Sequence, residues 1–342
     1  MKVLLTGGRA PATLELARLL FRAGHRVEVA ESQAFPLTRF SNCVALHHRL
    51  PRPRQESQDY LQHLRELASN FDLLIPTCEE TFWVASADIP QAWCPPLAKL
   101  RRLHSKLEFQ QRVAEHGLEA LPTWRCREGP ECLDGRHVLK PEFSRFARAV
   151  KIRPRSWPGP GDWIAQPYLD GQEYSALLLC REGQVLAWAA YANRVRWGQG
   201  AALRFTHEVP QGLQEWLFQF AQAEGHTGFL AFDLMLTPEG RWYALECNPR
   251  LTSGLHLLAA CPGLSDVFWH TPGEPLQPRV GETAQLGLAL LLQGHWPGRA
   301  RDVIWDLRDP WPFWAQPLSL LSLARFGRDL TAASTWDIEW NG

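Results

Sequence analysis

The stretch from Gly228 to Gly254, GFLAFDLMLTPEGRWYALECNPRLTSG, constrains the chain more than any other. Phe229 to Leu236 is apolar with one carboxylate, Asp233, inside it; Arg241 to Cys247 is a second aromatic and aliphatic run carrying Glu246. Thr237 to Gly240, TPEG, is a turn signal, so the whole reads as a β-hairpin. A charge inside an apolar strand is costly unless it is paired or bound to a cation. Here there are two, and the hairpin brings Asp233 and Glu246 toward each other. Asn248, two residues past Glu246, shares its side of an extended backbone. Two carboxylates and an amide oxygen form a hard-oxygen site suited to magnesium that also holds substrate phosphates. Arg250 follows, suited to an anionic oxygen beside that metal. The alternative is a plain strand pair with edge charges and a turn asparagine.

An Asp in one strand, then Glu-x-Asn-Pro-Arg with Ser-Gly behind it, resembles the ATP-grasp carboxylate ligases, and most closely the single-module relatives of the carbamoyl-phosphate synthase large chain. The resemblance runs from about Leu100 to Leu258. It implies an α/β (α+β ATP-grasp) fold: a Rossmann-like parallel α/β domain over residues 1–96, a small ATP-grasp lobe with connector over 97–165, a large lobe with the metal site over 166–270, and a C-terminal cap over 271–342. ATP and Mg²⁺, with Mn²⁺ as a substitute, are the cofactors it implies.

Composition sets the other bounds. Lys and Arg total 36 and Asp and Glu 36, with no long run of either sign, which argues against nucleic-acid or membrane attraction. The expected partners are a small-molecule carboxylate and a nucleophile, in a monomer or homodimer. The cysteines show no CxxC pair and several sit in apolar runs, which points to buried reduced thiols in a cytoplasmic protein; no disulfide or zinc site is expected at Cys126 and Cys132. MKVLLTGG is too short for a signal-peptide core. Leu286 to Leu292 falls well short of the ~20 residues that span a bilayer.

In chain order, Lys2 to Thr6 predicts a strand, Thr13 to Ala23 a helix and His25 to Ala30 a strand, a doubly wound opening. GGRAP between them is either a phosphate cradle or, since it is not GxGxxG, a tight turn. Tyr60 to Ala68 predicts a helix, and FDLLIP (Phe71 to Pro76) a buried parallel strand. TCEET (Thr77 to Thr81) lies just beyond it, where Glu79 and Glu80 face either a substrate or solvent. Leu97 to His116 predicts one continuous helix, capped by Gly117. Leu213 to Ala223, Leu255 to Cys261 and Ala284 to Gln293 are further expected helices, the last buried. The tail from Arg299 to Gly342, rich in Trp, Asp and Pro, is expected to cap the nucleotide domain.

Roles for several residues follow from the resemblance. Lys106 in SKLEF and Lys140 at the end of HVLK correspond to lysines that reach the ATP phosphates. Many relatives close a glycine-rich loop over those phosphates; here Glu142 to Val150, EFSRFARAV, has no glycine. Arg145 replaces the backbone donors, or the grip is weaker, or the loop is an ordinary basic one. Gln166, Pro167, Tyr168 and Leu169 match the strand linking the two lobes, where Pro167 offers adenine only its carbonyl and Leu169 donates. Glu173 corresponds to the acceptor of the ribose hydroxyls. The basic loop from Asn193 to His207 occupies the place of a substrate loop, and Arg194, Arg196 or Arg204 would bind a carboxylate or the transferring phosphate; Arg194 is taken as the catalytic partner of Arg250.

The reading is an ADP-forming carboxylate–amine ligase. The alternatives are carboxylation through carboxyphosphate, a kinase-like reaction, a nucleotide sensor without turnover, and an NAD-dependent protein using the N-terminal domain.

Overall fold

The structure is a computed structural model of the 342-residue chain. It describes residues 1–126, 133–144, 149–159, 161–197, 202–324 and 335–340.

The N-terminal apolar runs form a parallel sheet. Strands β1 (Lys2–Thr6), β2 (Arg26–Glu31), β3 (Leu46–Arg49) and β4 (Leu73–Ile75) lie in the order β3-β2-β1-β4. Helix α1 (Pro11–Arg22) packs on the face that carries Val3, Leu5 and Val29; helices α2 (Ser57–Ala68) and α3 (Glu80–Ser86) cover the face of Leu4 and Leu74. Burial of alternate residues on both faces explains why these strands read as unbroken apolar runs.

The expected single helix from Leu97 to His116 is two helices, α4 (Leu97–His104) and α5 (Lys106–Glu115). Ser105 between them is extended, and its Oγ accepts the Glu108 N–H at 3.2 Å. Ser-x-x-Glu is a capping signature that restarts the helix at Lys106. Lys106, at the start of the second helix, is one of the most buried side chains among the described residues.

A small antiparallel sheet follows, made of β5 (Trp124–Cys126), β6 (His137–Pro141), β7 (Lys151–Ile152) and β8 (Trp163–Pro167) in the order β5-β8-β6-β7. Cys126 is disulfide-bonded, contrary to the expectation of reduced thiols; its partner lies outside the described residues.

The larger antiparallel sheet holds the hairpin. Strands β9 (Gln172–Arg181) and β10 (Gln184–Ala192) are followed by β11 (Arg204–Thr206), helix α6 (Leu213–Glu224), β12 (Gly228–Leu236) and β13 (Trp242–Asn248). The order is β10-β9-β12-β13. Helices α5 and α6 bury one face through Phe109, Leu217 and Phe220. The other face shares its core with the N-terminal domain, α7 (Leu255–Leu258) and the segment after it. Gly171, with φ of 157°, sits where a Cβ would lie 2.3 Å from the Leu236 carbonyl oxygen, so only glycine allows β9 this approach to β12.

The expected buried helix from Ala284 to Gln293 is instead β14 (Thr283–Gln285), which pairs with β11 and with β15 (Arg301–Asp302), followed by a shorter helix α8 (Gly287–Leu292). Leu291 and Leu292 on α8 are exposed, so this apolar run is not a core helix. The tail, with α9 (Trp311–Trp314) and α10 (Gln316–Ala324), contacts the N-terminal domain. Arg18 Nε donates to Asp309 Oδ2 at 2.8 Å, Arg9 Nη1 to Asp337 Oδ1 at 2.6 Å, and Trp83 Nε1 to the Ile338 carbonyl at 2.9 Å.

Candidate active site

The hairpin forms about the TPEG turn, closed by the Gly240 N–H on the Thr237 carbonyl at 2.9 Å. Its register sets Asp233 directly across from Glu246, and β9 places Ser175 across from Asp233 on the other side. Ser175 Oγ donates to Asp233 Oδ1 at 2.6 Å. Asn248 Nδ2 lies 3.4 Å from both Asp233 Oδ2 and Glu246 Oε1. The three side chains foreseen as a metal site thus converge.

Their electrostatics are unequal. Burial and the Glu246 charge push the Asp233 carboxyl up to about 7. Burial also opposes ionisation of Glu246, but Lys106 and Lys140 outweigh it and hold that carboxylate at about 2. Lys106 Nζ is 3.3 Å from Glu246 Oε2 and also donates to the Ser144 carbonyl at 3.2 Å and Ser144 Oγ at 3.1 Å. Ser105, which caps α5, donates through Oγ to Glu142 Oε1 at 2.6 Å, tying the helix start to the segment after β6. Lys140, near the end of β6, is buried beside the Leu245 carbonyl; burial lowers its ammonium to about 8 despite the pull of Glu246. Two acids that share so confined a space call for a cation between them. The donor set fits a hard divalent ion once the Asn248 amide turns its oxygen inward. Among the described residues no group of three or more His, Cys, Asp or Glu side chains forms a metal cluster, so a soft, thiolate- or imidazole-rich centre is not in view there.

A cavity of about 610 Å³ runs from these carboxylates to the strand joining the lobes. Lys140, Gln166, Pro167, Tyr168, Leu169, Glu173, Asp233, Glu246, Asn248 and Arg250 all line it. Gln166 is fixed by its Nε2 on Thr123 Oγ1 at 2.9 Å, and the Arg153 guanidinium lies over the Tyr168 ring at 3.9 Å. The Leu169 N–H makes no hydrogen bond to a described residue, which leaves it available as a donor.

Lys106 does not line the cavity; it is buried against Glu246. Arg194 is not on the cavity wall; its guanidinium is half exposed and pairs with Glu208. Asn193 faces the cavity and bonds Ser175, and the Arg194 N–H closes a tight turn onto the Ala192 carbonyl at 3.0 Å just after β10 ends. The chain then doubles back through the Arg196–Ala202 bridge and delivers Arg196 instead, ion-paired with Glu173. Arg145 lies outside the described residues. Two further residues take parts that the sequence did not assign. Ser175 was hidden as one polar position in an apolar strand. Glu79, left open as facing substrate or solvent, does neither: it is buried and accepts Arg250 Nε–H at 2.6 Å.

The N-terminal turn offers little to a dinucleotide. Arg9 pairs with both Glu31, at the end of β2, and Asp337, and Ser32 Oγ donates to Asp337, filling the position from which an acidic residue would hold a ribose.

These elements define a two-lobed nucleotide-grasping architecture behind a parallel α/β domain. Residues 103–254 match the model of the ATP-grasp domain, so the chain carries that domain, as its Glu-x-Asn-Pro-Arg run implies. No curated protein sequence matches the chain. Among solved structures, the fold is similar to N5-carboxyaminoimidazole synthetase from Staphylococcus aureus complexed with ADP, at 14% identity over 82% of this chain and 80% of that one, with a TM-score of 0.66. It is similar to L-amino acid ligase from Bacillus licheniformis, at 14% identity over 77% and 71%, TM-score 0.63. It is also similar to a biotin carboxylase–ATP complex from Campylobacter jejuni, at 13% identity over 82% and 74%, TM-score 0.61. No helix among the described residues is long and apolar enough to cross a membrane.

Proposed function

We propose that this chain is an ATP-dependent ligase that activates a small-molecule carboxylate as an acyl phosphate and passes it to an amine or similar nucleophile. The observation that carries this reading is the single cavity shared by the opposed Asp233 and Glu246, by Asn248, Lys140 and Arg250, and by the strand from Gln166 to Leu169. The solved relatives named with ADP or ATP support the nucleotide.

The strand joining the lobes would hold adenine by its edge, with the Leu169 N–H donating and the Pro167 carbonyl accepting. Glu173 would take the ribose hydroxyls. Lys106 and Lys140 would place positive charge on the phosphates. Asp233, Glu246 and Asn248 would hold magnesium, which would supply charge neutralisation for the transferring phosphate. The substrate carboxylate oxygen bonds the γ-phosphorus as the bond to ADP breaks. The nucleophile then adds to the acyl carbon, loses a proton and expels phosphate. Arg250 would face the oxyanion in both steps. The protein contributes position and charge rather than a nucleophile of its own.

A panel of carboxylate and amine pairs, with bicarbonate among the acids, tests this by phosphate release with Mg–ATP and mass spectrometry of the products. ADP formation that depends on one acid, with a condensed product, supports the ligase. ATP binding without turnover on any pair replaces it with a sensor, and dependence on bicarbonate replaces it with a carboxylase.

A further inference from the structure

The TCEET run, one of the clearest polar signals in the N-terminal domain, takes no part in the chemistry above, yet it reaches the site. After β4 the chain turns sharply at Cys78, whose φ of 49° is left-handed, and the next side chain is driven inward. Glu79 is 2% exposed. Its Oε1 accepts Arg250 Nε–H at 2.6 Å across 171 residues of sequence. Glu79 itself is not on the cavity wall, whereas Arg250 is.

The edge of the guanidinium that is used matters. A carboxylate on Nε leaves the two terminal nitrogens free to present a flat fork to an anion. Neither terminal nitrogen of Arg250 donates to a described residue. Arg250 is further fixed at its backbone, where its N–H reaches the Asn248 carbonyl at 2.7 Å. The support behind Glu79 is also fixed. It precedes α3, and Trp83 on that helix is gripped by the C-terminal segment, through the Ile338 carbonyl at 2.9 Å and the Trp340 ring with centroids 4.5 Å apart.

We propose that Glu79 is a positioning residue for Arg250: a carboxylate supplied by the N-terminal domain that clamps one edge of the guanidinium so that the other faces the reacting oxyanion. The proposal rests on the ligase reading of Arg250. It makes the N-terminal domain part of the catalytic apparatus, although no atom of Glu79 touches substrate. The plain alternative is that Glu79 only neutralises a buried cation.

The test compares Glu79→Ala, Glu79→Gln, Arg250→Ala and the double variant Glu79→Ala/Arg250→Ala in the full chain. Three quantities are measured: Mg–ATP affinity by calorimetry, kcat and KM for phosphate release with the best acid of the panel, and the ¹⁵N–¹H signal of Arg250 Nε, assigned with Arg250→Lys. Glu79→Ala is expected to lower kcat at least tenfold, to leave Mg–ATP affinity within threefold, and to shift or broaden the Nε signal. Glu79→Gln, whose amide oxygen accepts the same bond, should recover to within threefold of wild type. The double variant should be no slower than Arg250→Ala. Three results each overturn the proposal: wild-type kcat in Glu79→Ala, multiplicative losses in the double variant, or an Nε signal unchanged in Glu79→Ala. Equal loss in the Gln and Ala variants, with a lowered melting temperature in both, supports neutralisation and also overturns it. A wild-type protein that binds no Mg–ATP or turns over no acid defeats the ligase reading instead, and the Nε signal alone then decides whether Glu79 holds Arg250.

Discussion

Lys106→Met probes the buried charge pair at the centre of the site. Lys106 Nζ lies 3.3 Å from Glu246 Oε2, and at an effective dielectric near 20 two unit charges at that distance attract by roughly 5 kcal/mol. Two features reduce the loss. Lys140 remains beside Glu246, and the Glu246 side chain keeps 23% of its surface in solvent. Methionine also fills most of the volume that the lysine stem occupies. The net destabilisation should therefore be about 2–3 kcal/mol, below the ~3–5 typical of a fully buried pair that loses one member. A second loss is expected in binding: with one fewer cation beside the proposed phosphate site, Mg–ATP affinity should fall at least tenfold, or ~1.4 kcal/mol. Urea unfolding and calorimetry measure the two separately. Adding Glu246→Gln should restore part of the stability, because it removes a carboxylate that has lost one of its two lysine neighbours, but none of the affinity. A Lys106→Met protein that unfolds and binds Mg–ATP as wild type does would refute the argument. So would a double variant less stable than Lys106→Met alone.

Asp233→Asn should weaken Mg–ATP binding and abolish turnover while leaving the fold intact, since Asn can keep the Ser175 contact; undiminished phosphate release would count against the site. Arg250→Ala should leave ATP affinity within several-fold and cost ~2.7–4 kcal/mol of transition-state stabilisation, by analogy with oxyanion donors; single-turnover kinetics separate the two. Arg196→Ala should raise KM for the acid or the nucleotide, whereas Arg194→Ala, at a half-exposed pair with Glu208, should leave both KM values within about twofold, consistent with the ~0–1 kcal/mol of a surface pair. Stability should peak between two titrations in the N-terminal cluster. Burial opposes ionisation of Glu31 and Asp337, but Arg9 overrides it and lowers both, so their contribution is complete above the ordinary carboxylate range and is lost as pH falls through the depressed values. Burial, reinforced by the Glu31 charge, raises Glu80 well above that range, so stability also declines as pH climbs toward the raised value. Glu80→Gln should therefore raise the melting temperature more at pH 8 than at pH 5, and equal shifts at the two pH values would contradict the assignment.

How far the sequence reached follows from the range of each interaction. Asp233, Glu246 and Asn248 were legible because strand alternation and a short turn are local rules: once TPEG closes the hairpin, nothing distant decides which faces the two acids share. Lys140, Glu173 and the strand from Gln166 to Leu169 carry no local chemistry of their own and were found only by resemblance, yet they meet in one cavity. Ser105 could have been read, since Ser-x-x-Glu before an apolar run is a helix start; helical periodicity on both sides of it concealed the break, and with it the burial of Lys106. The choice between Arg194 and Arg196 depended on a chain reversal that alternation does not encode. Longer-range contacts left no trace at all. Arg250 meets Glu79 across 171 residues, and Arg9 meets Asp337 across 328. Neither pair has a spacing, a motif or a periodicity to announce it. A charged side chain in an otherwise apolar stretch still carries one usable statement: burial demands a partner, even when the sequence does not name it. Glu79 and Glu80, adjacent in sequence, obey that demand in opposite ways. One accepts the Arg250 Nε–H beside the cavity; the other is buried near Glu31, and burial together with that charge pushes its carboxyl well above the ordinary range. The same two letters therefore meet different partners, and only the third dimension separates them.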